Sequence, residues 1–185
     1  MVNGLLSYCP STERVRAALS GDAIPLKRKE LTRCLIAGTP YPLTLSVPVE
    51  GGNRRLRDFE GRMLDEIDVD GIALSEHGNW RHVHIGAFEA AYRTTPFYLH
   101  YRDRLLDAIA SAKTLGELLR GTTEAVFAAV SYDDVAELNR SLQEDPQHYG
   151  VLCRERCRRI DPALTVFDAI FRLGPEAIFP LAATL

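Results

Sequence analysis

Between Leu43 and Val49 the chain alternates strictly, with Leu43, Leu45, Val47 and Val49 separated by Thr44, Ser46 and Pro48. Successive side chains of a strand point to opposite faces, so a period of two predicts a strand with one face buried. Pro48 cannot donate to a ladder, which places it at the outer end of that strand or on an edge. Upstream, Leu31 to Ala37 is rich in β-formers, and Gly38-Thr39-Pro40-Tyr41-Pro42 breaks the chain between the two segments. Together they predict a hairpin with a five-residue loop.

The rest of the N-terminal half fits around this hairpin. Leu5 to Cys9 is a short apolar run stopped by Pro10, and predicts a first, buried strand. Ser11 or Thr12 can cap a helix to about Ser20 with Val15, Ala18 and Leu19 inward, and Gly21-Asp22 ends it. Gly51 to Gly61 is polar and Arg-rich and predicts a loop. Ile67 to Leu74 predicts a last strand. Beyond it the periodicity becomes helical. Asn79 is expected to cap a helix from Trp80 to Arg93 whose apolar stripe holds Trp80, Ala87, Phe88 and Ala91. Pro96 stands at the start of the next helix, which carries Phe97, Tyr101, Leu105, Ala108 and Ala112 on one face. Thr114-x-x-Glu117 is a capping box opening a third. Shorter helices are expected over 133–143, 148–158 and 161–173. The expected class is α/β: a small mixed sheet packed by helices within residues 1–75, and a helical part over 76–185, in a single domain.

Composition narrows the function classes. The 185 residues carry 22 Lys+Arg against 25 Asp+Glu, a net charge of −3, so nothing suggests a non-specific nucleic-acid binder. A chain of this length buries about 70% of its unfolded surface, enough for a core without metal or disulfide staples. The longest apolar runs are far short of the ~20 residues of a membrane span. The N-terminus shows no charged n-region or apolar h-region, so no signal peptide is expected and the cytoplasm is the expected compartment. There Cys9, Cys34, Cys153 and Cys157 would be thiols. Cys153 and Cys157 share a helix face, but no CxxC or HxxxH accompanies them, so no metal is expected. P-loop, GxGxxG, GxSxG and HExxH motifs are absent, so no cofactor is expected either.

A few side chains are placed where chemistry is an alternative to packing. His84 falls between Trp80 and Phe88 at offsets of four, on the inward stripe, whereas His82 points away. It is either a packed histidine with a satisfied nitrogen or a cleft-lining general base kept neutral by its aromatic neighbours. Arg33 shares the strand face of Leu31 and Leu35. A guanidinium there needs a carboxylate or a ligand anion, because an unpaired buried charge is too costly. Arg54, Arg55 and Arg57 form a basic loop, either solvated or recruiting phosphate.

The order of these features resembles the WbqC-like family, bacterial proteins associated with O-antigen and other surface-polysaccharide clusters. The resemblance is carried by Trp80-Arg81-x-x-His84-Ile85-x-Ala87-x-Glu89-Ala90-Ala91-Tyr92 and Thr95-Pro96-Phe97-Tyr98-x-x-Tyr101. Arg33-Cys34-x-Ile36 followed by Leu43-Thr44-x-x-Val47-Pro48-Val49, Arg57-Asp58, and Phe167-Asp168-x-Ile170-Phe171-x-x-Gly174-Pro175-Glu176-Ala177 extend it over nearly the whole chain. Many members open with a strand running into His-Gln-Pro; here that turn reads Ser7-Tyr8-Cys9-Pro10. The resemblance implies a transferase acting on a nucleotide-linked or lipid-linked sugar precursor, by acyl or aminoacyl (glycine) transfer. In that reading His84 is the general base and Cys9 a candidate nucleophile. Arg33 and Arg57 hold phosphate or carboxylate, and Trp80 and Tyr92 shape the pocket. The alternative is a non-catalytic binding or scaffold protein that keeps the fold and lacks the histidine. The two part on whether Arg33, His84 and the Cys9-Pro10 turn converge on one cavity.

Overall fold

The computed structural model describes residues 7–21, 25–63 and 66–182. Ser7 to Cys9 form a buried bend, and helix α1 (Thr12–Leu19) follows, with the Ser11 hydroxyl accepting from the Arg14 amide at 3.2 Å. Helix α2 (Arg28–Thr32) runs directly into strand β1 (Arg33–Ile36), which pairs antiparallel with β2 (Leu43–Ser46). The register sets Arg33 opposite Ser46 and Cys34 opposite Leu45. The predicted hairpin is therefore present, with residues 37–42 as its connection. The alternation continues past the paired residues: Leu45, Val47 and Val49 are buried, while Leu43 stands out at the exposed tip.

The remaining helices are α3 (Trp80–Tyr92), α4 (Tyr98–Ser111), α5 (Leu115–Ala129), α6 (Tyr132–Glu144), α7 (Pro146–Cys157), α8 (Val166–Leu173) and α9 (Ile178–Leu181). The capping box at Thr114 is formed in both directions. In α3 the inward positions are Trp80, His84, Phe88 and Tyr92, an offset-of-four row. Asn79 precedes this helix in the left-handed region, φ 50°, and its side chain makes no capping bond. Helix α8 lies deepest: Val166, Phe167, Ala169, Ile170 and Phe171 are fully enclosed. Its Phe171 ring meets Tyr92 and Tyr98 at centroid distances of 5.2 and 5.0 Å.

Several expectations are corrected. Among the described residues the protein is mostly helical, and its sheet is a two-stranded antiparallel pair rather than a mixed sheet. The segment expected as a first strand is a bend at Ser7–Cys9, with Cys9 at φ 45°; Leu5 and Leu6 lie outside the described residues. Ile67–Leu74 makes only isolated bridges, Leu74 to Val49 and Ala73 to Thr114. There the Asp68 carboxylate accepts from the Gly71 amide at 2.9 Å, and this local turn bond competes with a ladder. Residues 52–59 wind into a 3-10 helix instead of an open loop. Helix α4 begins after Phe97, so Pro96 precedes it and does not occupy its first turn.

One long-range junction positions the site. The amide of Val166 donates to the Pro10 carbonyl and that of Thr165 to the Leu35 carbonyl, both at 2.8 Å. Thr12 and Glu13 donate to Leu164 and Pro162, and Tyr8 donates to Glu30 at 2.9 Å. The segment leading into α8 is thereby inserted between β1 and the start of α1. It holds the Cys9-Pro10 turn against the strand with these backbone bonds and with the Thr165 hydroxyl, which donates to the Pro10 carbonyl at 3.4 Å.

Candidate functional site

At that junction lies a cleft of about 280 Å³, lined among others by Ser7, Cys9, Pro10, Arg14, Lys29 and Arg33. Its volume is near the lower end of small-molecule pockets, about 300–1,000 Å³. The lining cations Arg14, Lys29 and Arg33 face the carboxylates of Glu13 and Glu30.

Arg33 reaches this cleft differently from the sequence expectation. Because α2 persists to Thr32, Leu31 shares no strand face with it. In β1 the inward residues are Cys34 and Ile36, and Arg33 is exposed on the other face. No buried ion pair is required of it.

Arg14, which the sequence reading passed over, is the buried cation. Its side chain is 4% exposed, and Nη1 donates to Oε2 of Glu30. Nε and Nη2 are closed off and meet no acceptor, and the Ser7 hydroxyl of the same cleft is likewise unpartnered. Leaving a buried donor unmet costs about 1–3 kcal/mol, more for a charged group. The α1 amides near the cleft do not share this condition, since those of Thr12, Glu13, Arg14 and Val15 are all bonded within the protein. The unmet donors known in the cleft are the side chains of Arg14 and Ser7.

His84 stands behind this cleft and does not line it. It is 3% exposed, Nδ1 lies 2.7 Å from the Tyr8 hydroxyl, and the Trp80 ring packs edge-on at 5.1 Å. The Ser46 backbone bonds the ring in the sense that favours the protonated form, as a carbonyl acceptor does. Desolvation outweighs it and pushes the pKa down to about 4, so the imidazole is neutral near pH 7. A proton on Nε2 toward Ser46 leaves Nδ1 to accept from Tyr8.

Tyr8 links this histidine to the cleft. Its hydroxyl, the Cys9 thiol and the Cys34 thiol interact as a buried row. Burial raises the pKa values of both Tyr8 and Cys9 well above their usual ranges, which keeps both groups protonated. The left-handed backbone at Cys9, φ 45°, is uncommon for a residue other than glycine and is costly to hold.

The remaining sequence candidates lie elsewhere. Arg57 is exposed on the 3-10 helix 52–59 with Arg54 and Arg55, and does not line the cleft. Trp80 is buried and donates from Nε1 to the Ser75 carbonyl at 2.8 Å. Tyr92 is fully buried; its hydroxyl accepts from the Ala37 amide at 2.9 Å. Both brace the hairpin side of the core and neither lines the cleft. Cys153 and Cys157 lie on α7, and no group of three or more potential metal ligands occurs among the described residues. No helix among them is long and apolar enough to cross a membrane. No family model, curated protein or solved structure matches the chain.

Proposed function

We propose that this chain is a transferase of the WbqC-like type, moving an acyl or aminoacyl group onto a sugar precursor bound beside the Cys9-Pro10 turn. The observation that supports it is the cleft, which brings Cys9 together with Arg33 although 24 positions separate them in sequence (33 − 9). In this reading Cys9 attacks an activated acyl ester or thioester. The S–C bond forms as the thiol proton passes into the protein, and the donor's leaving group takes a proton back as its bond to the acyl carbon breaks. The acceptor's amine or hydroxyl proton returns to sulfur when the acyl group moves on. Because burial holds the thiol protonated, the proton has to leave as attack proceeds. Tyr8 and His84 offer the path: the thiol proton moves toward the Tyr8 oxygen as the Tyr8 proton moves toward Nδ1. His84 then acts through Tyr8 and not on the substrate.

A second reading, a non-catalytic binding protein, is favoured by the same burial. His84 is engaged at both ring nitrogens, and Cys9 has no cation close enough to lower its pKa. Intact-mass spectrometry after incubation with activated acyl donors separates the two. The transferase reading expects an adduct on Cys9 that Cys9→Ser loses and that an amino- or hydroxy-sugar discharges. Ligand binding with no adduct and no acylated product, for any donor and acceptor pair, establishes the binding reading instead.

A further inference from the structure

We infer that the Nε–Nη2 edge of Arg14 is the anchor of an oxyanion site, which grips two oxygens of a phosphate or carboxylate group on the ligand. The inference rests on the cleft being a ligand site, as above, but on no transfer chemistry. Its basis is the way one guanidinium is divided. Nη1 is committed to Glu30, while the edge carrying Nε and Nη2 meets no acceptor although the side chain is almost wholly buried. Those two N–H groups are parallel and coplanar, the fork that matches two oxygens of one anion and that a lysine cannot reproduce. A second buried donor without a partner, the Ser7 hydroxyl, lines the same cleft.

Charge points the same way. The Glu30 carboxylate offsets Arg14 and also lies 3.7 Å from Lys27, so it is shared between two cations. Lys29 and Arg33 then stand on the rim against the single carboxylate of Glu13, leaving the cleft an excess of positive charge. Both rim cations are exposed and so can turn to admit an anion and close over it. The enclosed Arg14 edge selects the shape of the anion, and the rim supplies attraction.

Isothermal titration of the intact protein with inorganic phosphate, and separately with acetate, at constant ionic strength set by chloride, tests the assignment. The expected result is saturable one-site binding of at least one of the two. The tighter arm identifies whether the ligand group is phosphate or carboxylate. Arg14→Lys keeps the charge and the Glu30 partner but removes the fork, and should weaken binding by about 10-fold or more. Arg33→Ala, an exposed change that leaves the core alone, should weaken it by about 3- to 10-fold. If Arg14→Lys does not fold, Arg33→Ala and Ser7→Ala decide. Absence of saturable binding for both anions overturns the site, as does affinity unchanged in every folded variant. Anion binding with no acyl transfer leaves this site standing and removes only the transferase. Transfer without anion binding does the reverse.

Discussion

The hydroxyl of Tyr8 lies 2.7 Å from Nδ1 of His84, which joins the N-terminal bend to the middle of α3 across 76 positions. Both groups are buried, so neither can turn to bulk water for a replacement partner. Tyr8→Phe removes the hydroxyl and leaves a buried imidazole nitrogen unpaired. The expected loss is about 1–3 kcal/mol of unfolding free energy, read as a lower urea midpoint at unchanged slope. A change within about 0.5 kcal/mol would mean that the bond adds nothing beyond what water gives the unfolded chain.

The same pair gives acid stability a definite sign. The folded pKa of His84, about 4, lies below its ordinary 6.5, so between those values the unfolded chain binds the extra proton. Its contribution is complete above pH 6.5 and is lost as pH falls toward 4, by at most about 3 kcal/mol. Asp168 works in the opposite direction: burial raises its pKa despite Arg172, so the fold loses stability as pH rises and this carboxyl ionises. Urea midpoints measured between about pH 7 and pH 4.5 should therefore fall with acid. The slope should flatten in His84→Gln, which cannot titrate. An equally steep slope in that variant would assign the acid sensitivity to other groups.

Much of the fold was legible because its signals are local. The Thr114 capping box, the offset-of-four stripe of α3 and the period-two run at Leu43 each need only neighbours in sequence. The failures involve groups whose partners are distant. Nothing near Ser7–Cys9 announces a bend, because it is fixed by bonds from Val166, Thr12 and Glu13 to carbonyls at Pro10, Leu164 and Pro162. Arg33 shares its strand face with Leu35 as expected, but that face is not the buried one: α2 extends to Thr32, so the buried Leu31 belongs to the helix and says nothing about the strand. From that outer face Arg33 still reaches the rim of the cleft that Cys9 lines. Arg14 carried no signal at all. Its carboxylate partner is 16 positions away on another helix, and its unpaired edge is a property of packing.

Gly174 offers a test of the C-terminal core independent of the cleft. Its backbone sits at φ 57°, ψ −125°, a combination open essentially to glycine alone. A Cβ there would meet carbons of the Phe97 ring at 2.6–2.8 Å. The Phe97 backbone is tied down, because its amide donates to the Phe171 carbonyl at 3.0 Å, so relief requires the ring itself to turn. Gly174→Ala should therefore cost about 2–4 kcal/mol from strain and crowding together. At about 2–4 °C per kcal/mol for a chain of this size, differential scanning calorimetry will show it clearly. Gly174 does not line the cleft, so phosphate or acetate affinity of the folded variant should match that of the parent.

Thiol chemistry tests whether the Cys9 turn is closed in solution as it is in the structure. All four cysteines are free; Cys9, Cys34 and Cys153 are buried, whereas Cys157 near the end of α7 is partly exposed. Only thiolates alkylate at appreciable rates, and burial raises the pKa values of Cys9, Cys153 and Cys157. Exposure then sets the order. Under native conditions at mildly alkaline pH, iodoacetamide should modify Cys157 first, as peptide mass spectrometry will show. Cys9 and Cys34 should follow together and slowly, because one opening of the bend exposes both. An anion that occupies the cleft should slow that pair further while leaving Cys157 unchanged. Cys9 reacting as fast as Cys157 would mean that the backbone bonds from Val166 and Tyr8 do not keep the turn shut, and the enclosed Arg14 edge would then be reached by water as readily as by a ligand.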